Sequence, residues 1–242
     1  MIRSGNPTLR DNVFSQLSNA GAYNAMTVQG TVNKSFLMAL LVVFSASLVW
    51  NRPSAAAGLL LPSLAVGFII ALVTVFKKEY APYTAPIYAL TQGVVLGAVS
   101  AFFEKSYPGI VIQAVGLTIS TLICMLIAYK TGIINPTQRF RLGIIAATGG
   151  IALFYLTGLI MSFFGFNMGI IHSSTPIGIA FSAVVVIVAA LNLVIDFDFI
   201  VKGAAYNAPG YMEWYGAFAL MVTLIWLYLE ILRLLSKTRN RW

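Results

Sequence analysis

The sequence predicts an all-α, polytopic membrane protein built as a bundle of seven transmembrane helices, and two observations support this fold class. First, 59% of the 242 residues are hydrophobic and only 9% are charged, whereas an ordinary soluble domain is about 25% charged. Second, the apolar residues form seven runs, most of them near the ~20 residues that a helix needs to cross a bilayer. Because the runs are continuous rather than alternating, a transmembrane β-barrel is excluded.

The seven runs define the predicted helices, with a polar segment at each end of the chain. They cover residues 35–50, 55–76, 85–103, 109–129, 142–166, 176–200 and 214–235. The first run is short and is expected to borrow a turn from residues 32–34. Residues 1–34 are rich in Asn, Gly, Ser and Thr and are expected to form a partly ordered arm without a removable signal peptide. Residues 237–242 form a basic tail.

Small residues mark a predicted helix contact in the third run. Gly93, Gly97 and Ala101 recur every four residues, which places them on one face of a helix. In lipid, helices approach closely through such small faces. We therefore expect these three residues to pack against a neighbouring helix of the same chain rather than form a dimer interface.

The distribution of Lys and Arg predicts the setting and orientation of the chain. The net charge is +8, but the basic residues lie at the ends of apolar runs, which is typical of membrane flanks and not of a nucleic-acid-binding patch. Nine of them fall on the cytoplasmic side if the N-terminus is inside, and six on the other side. We expect a multi-pass protein of the inner (plasma) membrane with a cytoplasmic N-terminus, and seven spans would leave the C-terminus outside.

Two aspartates near the end of the sixth run are the main candidate functional residues. Only seven acidic residues occur in the chain, and two of them are Asp196 and Asp198. A charge at the bilayer centre costs at least ~2.5–3.5 kcal/mol, so these carboxylates need a partner, a proton or water. On a helix, Asp198 faces Lys202, which favours an i,i+4 ion pair. Asp196 shares a face with Asn192, and we expect this face to point into the bundle.

Two glutamates of the last run complete the acidic set. Glu230 precedes Arg233 by three residues, which favours a local ion pair. Glu213 lies at the helix entrance, where it could approach Asp196 or Asp198. Clustered carboxylates share protons and are also the oxygen ligands that Ca²⁺ prefers. The pattern therefore predicts a proton- and cation-sensing site, with Asp196 and Asp198 as Ca²⁺ ligands and no tightly bound cofactor.

The chain resembles the Bax inhibitor-1 family, most closely its bacterial YccA-like branch, over about residues 30–236. The resemblance is carried by the third-helix pattern Pro86-Ile-Tyr-Ala-Leu-Thr-Gln-Gly93, the aspartate near the end of the sixth helix, and Leu227-Tyr-Leu-Glu-Ile-Leu-Arg in the seventh. It implies a seven-helix bundle with a central helix and a pH-sensitive di-aspartyl site. Asp196 corresponds to the sixth-helix aspartate. When the seventh helices are aligned on their Ile-Leu-Arg ending, the family's second aspartate falls at Thr223.

The resemblance implies calcium leak across the membrane and, in bacteria, a role in modulating a membrane protease. Two functions follow as expectations. One is a pH-sensitive leak channel or transporter for calcium or other cations. The alternative is a non-transporting regulator that binds a membrane protease or another membrane protein through the N-terminal arm.

An enzyme is not expected from this sequence. Asp196 and Asp198 diverge on one helix, and no second aspartate lies in another span, whereas an intramembrane aspartyl protease needs two facing carboxylates. The single histidine, His172, lies in a predicted loop, where it could not serve a buried serine nucleophile. We therefore expect no catalytic residues.

Overall fold

The computed structural model describes residues 25–50, 53–165 and 174–240, and this part of the chain forms seven long helices. Each is long and apolar enough to cross a membrane, which confirms the predicted all-α, seven-helix membrane fold. The helices, in chain order, are α1 (Val28–Trp50), α2 (Pro53–Phe76), α3 (Ala81–Ser106), α4 (Ile110–Lys130), α5 (Gln138–Phe163), α6 (Pro176–Ala205) and α7 (Tyr211–Arg239). A short 3₁₀ turn, Lys78–Tyr80, precedes α3.

The helices extend beyond the apolar runs that predicted them. α1 begins at Val28, so the predicted arm ends before this residue and not at position 34, and residues 1–24 lie outside the described part. α7 continues to Arg239 and takes up half of the predicted basic tail. Hydropathy marks only the part of a helix that faces hydrocarbon, whereas the backbone hydrogen bonds continue into the polar boundary of the membrane.

Contacts between helices fix their directions: α5 and α6 run in opposite directions, as do α6 and α7, whereas α3 runs parallel to α1 and α7. Arg141 and Phe154 of α5 meet Asp198 and Phe181 of α6 in reverse order. We call the end of the bundle that holds the starts of α1, α3, α5 and α7 the proximal face, and the opposite end the distal face. The end of α6, with its two aspartates, lies toward the proximal face.

α7 is the central helix of the bundle. It packs against α1, α3, α4 and α6 and is the most buried of the seven, whereas α5 is the least buried. α5 contacts mainly α6. The aspartates of α6 thus lie beside the best-packed helix on one side and the most loosely held helix on the other.

The small residues of α3 lie where α3 meets α1. A side chain at Gly97 would place its Cβ 2.6 Å from the carbonyl oxygen of Ala46, and one at Gly93 would overlap Ser45 and Val42. Ala101 is partly buried. The two glycines therefore permit a close backbone approach that any larger residue would prevent.

Candidate functional site

Asp196 is a carboxylate inside the bundle with incomplete hydrogen bonding. It lies on α6, nine residues before the last helical residue, Ala205. The side chain of Thr223 on α7 lies beside its carboxyl group, while the Thr223 hydroxyl donates to the carbonyl of Ala219 on its own helix, at 3.3 Å. The Oδ2 atom is buried and has no hydrogen-bond partner among the described residues. A buried polar atom without a partner costs about 1–3 kcal/mol, so this atom marks the place where a proton, water or cation would be stabilised.

Asn192 lies one helical turn from Asp196 on the same side of α6. Its amide donates to the hydroxyl of Thr148 on α5, at 2.8 Å, and to the carbonyl of Val188, at 2.9 Å. The predicted polar face of α6 is therefore turned toward α5 and α7. Thr148 contributes a hydroxyl that sequence analysis did not single out.

Asp198 is bound by two cations and differs in this from Asp196. It pairs with Lys202 on its own helix, at 3.1 Å, which confirms the predicted i,i+4 ion pair. It also pairs with Arg141 in the first turns of α5. With 5% of its surface exposed, Asp198 is a buried and neutralised charge, so it holds α5 to α6 and leaves Asp196 as the unpaired acid of the two.

Glu213 lies in the first turn of α7, but its partners come from the start of α1. One carboxylate oxygen, Oε1, accepts from the backbone N–H and the hydroxyl of Thr27, both at 2.7 Å, and the other pairs with Lys34. The expectation that Glu213 joins Asp196 or Asp198 is thus corrected: both of its oxygens are occupied by α1. It closes the α1–α7 contact instead of adding to an acidic cluster.

The distal half of α7 carries a second polar group. Glu230 is almost fully buried and pairs with Arg233 at 3.0 Å, which confirms the predicted local ion pair. The hydroxyl of Tyr155 on α5 donates to Glu230 at 3.1 Å and accepts from Arg233 at 2.8 Å. Tyr155 could not be recognised from sequence, because only the packing of α5 brings it to α7.

The donor set has consequences for a bound metal. Within residues 25–50, 53–165 and 174–240, no group of three or more His, Cys, Asp or Glu side chains converges. Ca²⁺ takes six to eight oxygen ligands in stable sites. The groups near Asp196 therefore suit a proton or a cation in passage better than a resident metal ion.

These features define a polytopic membrane protein with several ionisable side chains buried between its last three helices. A family model described as "Bax inhibitor 1 like" matches residues 6–240. The chain belongs to this family. A comparison with curated proteins gave no significant match, and a comparison with solved structures gave none either.

Proposed function

We propose that the protein is a pH-sensitive leak channel or transporter for calcium or other small cations, and not an enzyme. The observation that carries the proposal is the buried, unpartnered Oδ2 atom of Asp196. A carboxylate in this position is costly in hydrocarbon. Ion pairs offset such a cost at Asp198 and Glu230, but Asp196 makes none with the residues that the structure describes. Exchange of protons or cations at Asp196 would explain why an unpaired carboxylate occurs at such a costly position.

Thr223 supports the same assignment. It lies on the central helix, beside the Asp196 carboxyl, at the position where the alignment on Ile-Leu-Arg placed the second aspartate of the related proteins. A pair of side chains between α6 and α7, one carboxylate and one hydroxyl, would then be the counterpart of the di-aspartyl site that the resemblance implies. A single carboxylate binds a divalent cation weakly, which suits passage more than storage.

The setting is part of the proposal. We infer an inner-membrane protein of a bacterium with the proximal face toward the cytoplasm, because the bias of Lys and Arg favours an internal N-terminus. Lys202 and Arg141, which hold Asp198 on the proximal side, agree with this orientation. The aspartates would then lie nearer the cytoplasmic surface.

Cation efflux from vesicles that contain the purified protein tests the proposal. Flux of Ca²⁺ and of monovalent cations is measured as the pH is stepped from acidic to weakly alkaline, for the wild type and for Asp196→Asn. The amide has the same shape but cannot ionise, so we expect the pH dependence to be lost. Glu79→Gln, which neutralises an exposed carboxylate of the 3₁₀ turn, is the matched control.

Two results would overturn this assignment. An unchanged curve of flux against pH in Asp196→Asn would remove the residue from the mechanism. No flux above empty vesicles for folded wild-type protein would favour the alternative, a regulator of a membrane protease or other membrane partner. Co-purification of a stable partner that depends on residues 1–24 would then be the expected finding.

A further inference from the structure

Two polar stripes with the same spacing face each other across α6. On α5, Arg141, Thr148 and Tyr155 are seven residues apart, and on α7 the same spacing separates Thr223, Glu230 and Lys237. Seven residues are close to two helical turns, so each set lies on one face of its helix. Each stripe extends over 14 residues, or about 21 Å, which is most of a ~30 Å hydrocarbon layer.

Every member of the stripes contacts another polar group in the space between α5, α6 and α7, which we call the seam. From the proximal to the distal face the contacts are Arg141 with Asp198, Thr223 with Asp196, Thr148 with Asn192, Tyr155 with Glu230 and Arg233, and Lys237 with Ser182. Each contact joins two helices, so the order is fixed by the fold. The seam is therefore polar from one face to the other.

Lys237 closes the distal end of the seam in an unusual manner. It is 4% exposed, and its ammonium group donates to the hydroxyl of Ser182, at 2.8 Å, and to the carbonyl of Gly178, at 3.1 Å. No carboxylate lies within ion-pair distance of it among the described residues. The distal end of the seam is therefore closed by a buried ammonium group that neutral acceptors hold.

One apolar cavity among the described residues does not belong to the seam. It has a volume of about 400 Å³ and lies between α1, α3, α4 and α7, where Val42, Leu96 and Val111 form part of an apolar wall. Apolar cavities of this kind stay dry. The seam, in contrast, is lined by hydroxyl, amide, carboxylate and cationic groups, which are the partners that single waters need.

We propose that the α5–α6–α7 seam is a water-containing hydrogen-bond path that carries protons between Asp196 and both faces of the membrane. This inference rests on the function proposed above and names the route by which pH acts on it. Seven residues of helix rise about 10 Å, so this distance separates neighbouring members of one stripe, and contacts that alternate between the two stripes can lie closer together. Ordered waters can span gaps of this size. The groups that face the path are Asp196, Asp198, Arg141 and Lys202 toward the proximal face, and Tyr155, Glu230, Arg233 and Lys237 toward the distal face.

Cysteine accessibility tests whether the seam contains water. Cys124 is exposed on α4, and Cys124→Ala gives a background without cysteine. In this background, Thr148→Cys is expected to react with a small water-soluble thiosulfonate. Ile145→Cys on the exposed side of α5 and Val115→Cys in the apolar cavity are expected not to react, because thiols form thiolates only where water reaches them. An unreactive Thr148→Cys, with the protein folded, overturns the proposal.

Conservative substitutions test whether the path carries protons. Tyr155→Phe removes one hydroxyl but keeps the ring that packs against Phe181, with ring centroids 6.2 Å apart. In vesicles with one orientation of the protein, the response of flux to acid on the distal side is expected to be lost and the proximal response kept. Tyr83→Phe, at an exposed position of α3, is the control. Equal responses from both sides in Tyr155→Phe would contradict the path.

The two tests separate this inference from the proposed function. If wild-type vesicles show no flux, the labelling of Thr148→Cys still reports whether the seam is wet. If flux depends on Asp196 while Thr148→Cys is unreactive, the function stands and the route is wrong.

Discussion

Arg141, near the start of α5, forms an ion pair with Asp198 near the end of α6. This contact joins the least buried helix of the bundle to the helix that carries the candidate site. In lipid, helices gain little from hydrophobic burial against each other, so polar contacts contribute a larger share of their association. The position of α5 therefore depends on a small number of side chains.

Replacement of Arg141 is expected to loosen α5. Arg141→Gln leaves Asp198 with Lys202 as its only cation, and because the arginine is partly exposed, we expect a loss of about 1–2 kcal/mol, less than for a fully buried pair. Thermal unfolding in detergent and the distance between spin labels on α5 and α6 measure the effect. Arg139→Gln, at an exposed position two residues away, should change neither quantity.

Glu213 is expected to stabilise the start of α1. Thr27 caps α1 by accepting from the N–H of Gly30, at 2.9 Å, while Glu213 accepts from Thr27 and pairs with Lys34. Glu213→Gln removes the ion pair but not the shape, and we expect a loss of about 1–2 kcal/mol, seen as a lower midpoint of thermal unfolding. A midpoint equal to that of the wild type would show that the contact contributes nothing to stability.

Substitution of Gly30, which contacts Glu213, is also expected to lower the midpoint of thermal unfolding. A Cβ at this position would overlap the carboxylate of Glu213, so Gly30→Ala should displace Glu213 from Thr27 and lower the unfolding midpoint. Restoration of the midpoint by combining Gly30→Ala with the shorter Glu213→Asp would identify the overlap as the cause.

The α1–α3 contact is expected to require glycine at position 97. In Gly97→Ala the added methyl group meets the backbone of Ala46, which cannot move without shifting α1, and overpacking of this kind costs about 1–3 kcal/mol. Gly149→Ala on α5 adds the same methyl group where no other atom lies within 4 Å. Thermal unfolding of both variants should show a loss only for position 97, and equal midpoints would contradict the close approach.

An acid at position 223 is expected to change the pH at which flux responds. Thr223→Asp places a second carboxylate beside Asp196, and two adjacent carboxylates do not both ionise readily. The pair therefore keeps a proton to higher pH, so the midpoint of flux against pH should move upward. Thr223→Asn has the same shape without a charge and is the control. A downward shift, or equal shifts in both variants, would place position 223 outside the site.

Features that depend on one helix were predictable, and so was the face that Gly93 and Gly97 present to a neighbouring helix, but the polar partners that other helices supply were not. The pairs of Asp198 with Lys202 and Glu230 with Arg233 follow from helical spacing alone. The partners Arg141 and Tyr155 depend on how α5 is rotated against α6 and α7, which hydropathy does not record.

The prediction that Glu213 approaches Asp196 or Asp198 was wrong for a physical reason. The sequence places Glu213 near the end of α6, because α6 and α7 are consecutive and joined by a short turn. It does not show that the start of α1 reaches the same place. Residues 28–31 were too polar to be recognised as helix, and the start of α1 was not expected beside α7, so Thr27 and Lys34 were not considered as partners of Glu213.

The chain enters the bundle at the turn between the two helices that bear Asp196 and Thr223. The N–H of Met26 donates to the carbonyl of Ala208 at 2.7 Å, and Ala25 pairs with Pro209 across the same turn. The Met26 side chain rests against Gly203 in the last turn of α6. A protein that binds the residues before Ala25 would thus displace the end of α6. Because α6 is one continuous helix, this displacement would also move Asp196 and Asp198. Under the proposed function, this attachment would connect recognition of a partner outside the bilayer to proton exchange inside it.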